Sequence, residues 1–370
     1  MSESPVIEKS IEHAKEARLR YVTDETPGIT RKRAGKSFNY FAVSGKKVRD
    51  ADTLARIRAL VIPPAWTDVW ICPDENGHLQ ATGRDARRRK QHRYHRKYRA
   101  VRDEAKYDRM IDFAKSLPKI HRATAKDLKR KGLTKERVLA ALIQVMQKTL
   151  IRVGNEEYAK QNDSYGLTTL KDKHARVRGG KVRFEFRGKS GKEHEIDLED
   201  PRLSTIVKKC QDLPGEQLFQ YLDDDENVVD INSTDVNEYL RSIVGEDFTA
   251  KDFRTWAGTV LAARALSALE EIDSNAARKK NIVRAVEAVA QRLGNTKAVC
   301  RKCYIHPQVI DAYLDGSLAL TLSKRAGREL ARSVHSLNPE EAAVLALLQQ
   351  NLLHASRKSR HGQNGRARGR

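Results

Sequence analysis

Four cysteines in 370 residues, at 72, 210, 300 and 303, are too few to staple a secreted fold, and they predict a reducing compartment. Cys300 and Cys303 form a C-x-x-C, but Cys72 and Cys210 stand alone, so the four ligands of a structural zinc site are not on offer. Arg301 and Lys302 between the thiols suit an anion better than a cation. No run approaches the ~20 apolar residues of a membrane span. The first ten residues, MSESPVIEKS, carry no apolar core for a signal peptide. A soluble, cytoplasmic protein is expected. Carboxylates are also short: 49 Asp and Glu face 71 Lys and Arg, a net charge of +22. An excess that large predicts a polyanionic partner. The cations are spread over folded segments as well as the tail, which favours nucleic acid over an acidic membrane surface.

What is present is enough hydrophobic residue, 39%, to bury the cores of two domains. Residues 1–20 predict a short charged helix. Short segments separated by turns follow: Phe38-Asn-Tyr-Phe-Ala-Val, a helical stretch from Asp52 to Leu60, then strands at Asp68–Cys72 and Leu79–Gly83 around the turn Asp74–His78. The first hundred residues therefore predict a small β-rich domain, 1–100. From Asp103 the period is helical: Thr134 caps a helix bearing Val138, Leu142, Val145, Met146 and Leu150 and ending near Arg152 and Gly154. A three-stranded meander follows over His174–Arg178, Lys181–Phe186 and Glu193–Leu198, with Lys189 in its second turn. Further helices are expected at Asp235–Ile243, Ala250–Glu270, Asn275–Leu293 and Glu340–Leu353. The fold class is α+β, with a mainly helical domain over 101–356. Residues Arg357–Arg370, with six cations, predict a disordered basic tail.

Two stretches invite chemistry. Ten of the nineteen residues from Arg84 to Arg102 are Lys or Arg, interleaved with His92, Tyr94, His95 and Tyr98. That composition tracks a phosphate backbone while offering flat rings to bases; a solvated basic face is the plainer alternative. The second is Leu293 to Pro307, where Tyr304 sits on a short segment after Gly294. Tyrosine is a known covalent nucleophile, yet taken alone an ordinary half-buried tyrosine is the simpler reading.

Arg152, Lys189, Arg254 and Asn295 stand out by position, the first three with plain structural alternatives: a helix-end cation, a turn lysine, a salt-bridge partner. Together with a phenol they fill the roles that phosphodiester transfer needs. Planar cationic forks and an amide face the nonbridging oxygens, and an ammonium serves the leaving oxygen.

Five motifs, in order, decide between these readings. Arg152-Val-Gly-Asn-Glu-Glu-Tyr158, Gly166-Leu-Thr-Thr-Leu-Lys-Asp-Lys-His174, Phe186-Arg-Gly-Lys189, Lys251-Asp-Phe-Arg-Thr-Trp256 and Gly294-Asn…Tyr304 resemble type IB DNA topoisomerases, most closely the small poxvirus-like branch found in bacteria. The resemblance covers roughly Gly83 to Pro307. It implies a clamp around double-stranded DNA, formed by a monomer and associated with the nucleoid. It further implies Tyr304 as nucleophile, Lys189 as general acid, and Arg152, Arg254 and Asn295 as transition-state donors. Arg84, Asp85, Arg89, Gln91, Tyr94 and Tyr158 would contact DNA. Asn295 departs from the histidine of poxvirus members, which removes any acid–base role there. Arg88 stands where glycine is usual, and His92 where tyrosine is usual.

Neither a metal nor a nucleotide cofactor is expected. Gly188-Lys-Ser ends like a P-loop, but Arg183 holds the place of its first glycine. Asp223-Asp-Asp-Glu reads as a solvated loop. Two other functions compete. A tyrosine recombinase shares the chemistry, but Arg254 lies in Lys-Asp-Phe-Arg-Thr-Trp rather than His-x-x-Arg-His. A DNA-packaging protein explains the charge but not the ordered motifs.

Overall fold

The polar first hundred residues build a sheet. In the computed structural model, which describes residues 5–35, 37–269, 274–322 and 337–350, contacts divide the chain into units at 1–108 and 109–370. The first unit contains α1 (Pro5–Glu16), β1 (Ile29–Ala34), β2 (Ser37–Phe41), α2 (Ala51–Ala59), β3 (Thr67–Ile71), β4 (Leu79–Arg84) and β5 (Lys90–Tyr94). The strands form one antiparallel sheet, ordered β2-β1-β3-β4-β5. Ile29, Val69, Ile71 and Ala81 pack with Ile57 of α2, which Asp50 caps by accepting from the Thr53 amide at 2.7 Å. Alternation found β3 and β4 but not β1 or β5. Their sequences, ITRKRA and KQHRY, show no apolar alternation, so backbone pairing does most to define them.

The unit boundary falls inside α3 (Arg96–Asp127), a 32-residue helix with Pro118 inside it, instead of near residue 100. The second unit is built on α4 (Lys135–Thr149), whose apolar residues Val138, Leu139, Leu142, Ile143, Val145 and Met146 are all buried. Thr134 caps it as expected. Then come α5 (Glu156–Asn162) and the antiparallel meander β6 (Ala175–Arg178), β7 (Lys181–Arg187) and β8 (Glu193–Glu199). Val182, Phe184 and Phe186 alternate inward from β7. The remainder is α6 (Pro201–Gln211), the hairpin β9 (Gln220–Leu222) and β10 (Val228–Asp230), α7 (Ser233–Val244), α8 (Ala250–Ser267), α9 (Asn275–Leu293), α10 (Lys297–Cys303) and α11 (Pro307–Leu314). Residues 339–350 are also helical.

The architecture is α+β, with a small β-rich unit and a larger, mainly helical one carrying the meander. The Asp223–Glu226 run is the β9–β10 loop, where the Asp223 carboxylate accepts from the Asp225 and Asn227 amides. None of the described helices is long and apolar enough to cross a membrane. The basic tail and the end of the last expected helix lie outside the described residues.

Candidate active site

Arg254, the fifth residue of α8, is 4% exposed and reaches two helix ends at once. One terminal nitrogen donates to the Leu150 carbonyl and the other to the Leu293 carbonyl, the latter at 2.6 Å. Leu293 ends α9, and Leu150 is the left-handed residue (φ 58°) that stops α4. Helix-terminal carbonyls lack intrahelical partners and carry the negative end of the macrodipole, so a cation between two of them satisfies both. Burial, then the neighbouring Arg152 guanidinium, pulls the Arg254 pKa down to about 10, and it stays a cation at neutral pH. Its Nε is buried without a hydrogen-bond partner.

Two residues beyond each of those carbonyls stand Arg152 and Asn295. A terminal nitrogen of Arg152 donates to Asn295 Oδ1 at 2.5 Å. That bond turns the other end of the amide, Nδ2, into a second buried donor without a partner. The expected helix does not run to Arg152. It stops at Thr149 because Leu150 turns left-handed, and Arg152 leaves on an irregular segment. The Gly166-Leu-Thr-Thr motif buttresses this segment: the Leu167 amide donates to the Arg152 carbonyl at 2.8 Å and the Thr168 amide to Val153 at 2.6 Å. A Cβ on Gly166 would lie 2.5 Å from the Arg152 carbonyl oxygen, so the glycine is required by close approach.

Lys189 and Tyr304 complete the group differently. Lys189 is exposed at the tip of the β7–β8 hairpin, in a turn where Ser190 is left-handed (φ 68°). Tyr304 caps the C-terminus of α10, its amide donating to the Cys300 carbonyl at 2.9 Å. The Arg254 guanidinium carbon lies 5.7 Å from the centre of its ring. The tyrosine is seated on α8: a Cβ on Gly258 would be 2.6 Å from the Tyr304 carbonyl oxygen, and the Thr259 hydroxyl lies 3.3 Å from the same atom. Arg152, Lys189, Arg254, Tyr304 and Tyr158 line one cleft of about 600 Å³. Cys300, one turn before the tyrosine, is fully buried, and burial pushes its thiol up to about 11.

Two family models match this chain: the catalytic core of eukaryotic DNA topoisomerase I over residues 95–328, and the N-terminal domain of bacterial DNA topoisomerase IB over 37–85. DNA topoisomerase 1B of Acanthamoeba polyphaga mimivirus is 34% identical over 77% of this chain and 87% of its own. The chain belongs to the type IB DNA topoisomerase family. The enzyme of that name from Vaccinia virus (strain Copenhagen) is 24% identical over 65% of this chain and 74% of its own. As a type IB topoisomerase the protein binds DNA and changes its topology by cleavage and religation.

In the topoisomerase's first unit the expected DNA-contact residues cluster at the β4–β5 turn. The Asp85 carboxylate accepts from the Arg87 and Arg89 amides, from the Arg89 side chain at 2.9 Å, and from Gln91 Nε2 at 3.1 Å. Bonding to Arg89 holds this carboxyl below its ordinary range. Asp85 thus presents Arg89 and Gln91, while Arg84 donates to the Arg88 carbonyl at 3.0 Å. Arg88 itself is left-handed (φ 57°), which is why a glycine suits that place. His92 stacks on Tyr94 with ring centres 5.8 Å apart, and Tyr94 is half-buried against Tyr98 and Arg102. Tyr158, whose amide is capped by Asn155, lies in the second unit and lines the cleft.

Sequence reasoning passed over four supporting residues. Gly258 and Thr259 follow Arg254 by one helical turn, and that spacing places them beneath Tyr304. Lys192 donates to the Asn295 carbonyl at 3.4 Å. His194 shares the inward parity of Ile196 and Leu198 in β8, a signal that alternation carries.

Proposed function

We propose that this protein relaxes positive and negative supercoils by cutting one strand of duplex DNA through a 3′-phosphotyrosyl intermediate. The Tyr304 oxygen attacks the scissile phosphorus as the bond to the 5′-oxygen breaks, and the phenolic proton passes to water. The Lys189 ammonium gives a proton to the departing 5′-oxygen. Arg152, Arg254 and Asn295 hold the nonbridging oxygens, where charge accumulates in the transition state. The cut strand rotates about its partner, and the 5′-hydroxyl then attacks the phosphotyrosine in reverse. The ester conserves the energy of the broken bond, so the cycle needs neither a nucleotide nor a metal ion.

One observation carries this reading: Asn295 Nδ2 and Arg254 Nε are buried donors without partners, the first on the amide that Arg152 holds and the second on the guanidinium beside the Tyr304 ring. Orphaned buried donors are costly unless a ligand answers them, and a phosphate supplies acceptor oxygens. In the same reading Arg84, Asp85, Arg89, Gln91, Tyr94 and Tyr158 contact the duplex, and a monomer closes on it as a clamp at the nucleoid.

The test is to incubate the full chain with 5′-end-labelled duplex and quench with detergent. Wild type leaves a protein band carrying labelled DNA, and Tyr304→Phe leaves none. Plasmid relaxation by Tyr304→Phe at the wild-type rate would overturn the assignment.

A further inference from the structure

His194 belongs to none of the roles above, yet it lies where two of them meet. It pairs with Phe186 across β7 and β8, and its ring stacks on that phenyl with centres 5.1 Å apart and planes 16° from parallel. One edge of the imidazole then faces two glycines. A Cβ on Gly188 would lie 2.5 Å from His194 Cδ2 and 2.6 Å from Nε2. A Cβ on Gly294 would lie 2.7 Å from Cε1. Gly188 immediately precedes Lys189, and Gly294 immediately precedes Asn295. The ring is therefore in contact with the backbone of both turns, one from the meander and one from the end of α9.

We propose that the neutral imidazole of His194 is a positioning residue for strand cleavage: it wedges between the Gly188 and Gly294 α-carbons and sets Lys189 and Asn295 at their working separation, and its protonation disturbs that setting.

The charges around the ring give the sign. Arg152 approaches from the segment after α4, Arg254 from α8, and Lys192 from the turn just before β8, with Glu193 the opposing neighbour. Lys189 and Arg292 line the same small cavity. Burial, then Arg152, Arg254 and Lys192, holds the imidazole below its ordinary value of 6.5. The neutral form is thus favoured in the folded protein. As pH falls below 6.5, a proton must enter a ring already faced by cations, and the new charge pushes against Arg152, the partner of Asn295.

The proposal rests on the topoisomerase reading, and the experiment separates the two. Covalent adduct formation on duplex DNA is timed under single-turnover conditions from acid to mild alkali for wild type, His194→Ala and His194→Gln, with thermal midpoints in parallel. His194→Ala is expected to slow adduct formation by about 10²-fold at neutral pH, the scale of a misplacement near 1 Å. His194→Gln keeps a flat, uncharged side chain; it is expected to recover at least half of that loss on a logarithmic scale and to lose the fall in rate that wild type shows at acid pH. A His194→Gln profile that keeps the wild-type acid limb overturns the proposal, as does a folded His194→Ala within about threefold of wild type. If His194→Ala does not fold, the His194→Gln profile decides alone. Should wild type form no adduct at any pH, it is the topoisomerase chemistry that fails.

Discussion

Arg254 and Lys189 face the same cleft from opposite structural conditions. Arg254 is sealed inside the helical junction, with two of its five N–H groups bound to the ends of α4 and α9. Lys189 is exposed on a hairpin tip, tied to the fold by the backbone bonds of its turn. The difference suits the role proposed for each. A donor to the nonbridging oxygens gains from being fixed before charge develops. A proton donor must follow a leaving oxygen that moves, and an ammonium on a flexible stem suits that.

The largest effect expected from this contrast is at Arg254. Arg254→Ala orphans two buried carbonyls, at about 1–3 kcal/mol each. Its thermal midpoint should therefore fall together with an adduct rate lowered on the order of 10³-fold. Arg254→Lys should fail similarly, because a single ammonium cannot bridge both helix ends. Retention of wild-type stability in either variant would mean that the junction does not depend on this side chain.

Lys189→Ala is the counterpart. Adduct formation should drop ~10²–10⁴-fold, while the unfolding free energy changes by no more than about 0.5 kcal/mol, as for other surface changes. A destabilised Lys189→Ala would erase the distinction between the two positions. The smallest effect is at Gly258, which separates helix stability from tyrosine placement. Alanine within a helix is favoured over glycine by about 1 kcal/mol, but here its Cβ would press on the Tyr304 carbonyl 2.6 Å away. Gly258→Ala should slow cleavage about tenfold, a fraction of the cost of a full 1 Å misplacement, with no rise in the midpoint. A stabilised variant of full activity would show that Tyr304 is not seated there.

The sequence carried the meander, the Thr134 cap of α4 and, through the ordered motifs, the segments on which the five proposed site residues stand. It missed what depends on distance. Nothing about a leucine at 150 announces a left-handed residue; that turn is held by Arg254, 104 positions later. Hence Arg152 read as part of a helix. Polar β1 and β5 escaped for a different reason, since periodicity reports a buried face and they bury little. His194 was legible by parity but not by partner, because its contact with Gly294 spans one hundred residues of chain.

The Arg254 bridge has one more consequence. Arg152 and Asn295 each stand two residues beyond a carbonyl held by the same guanidinium, so the spacing of the two donors is gauged by a rigid planar group and two short arms. Loops elsewhere can lengthen without altering that gauge. Damage to it, by contrast, is shared: removing Arg254 should misalign both arms at once, and further substitution of Arg152 or Asn295 in that background should cost much less than it does alone.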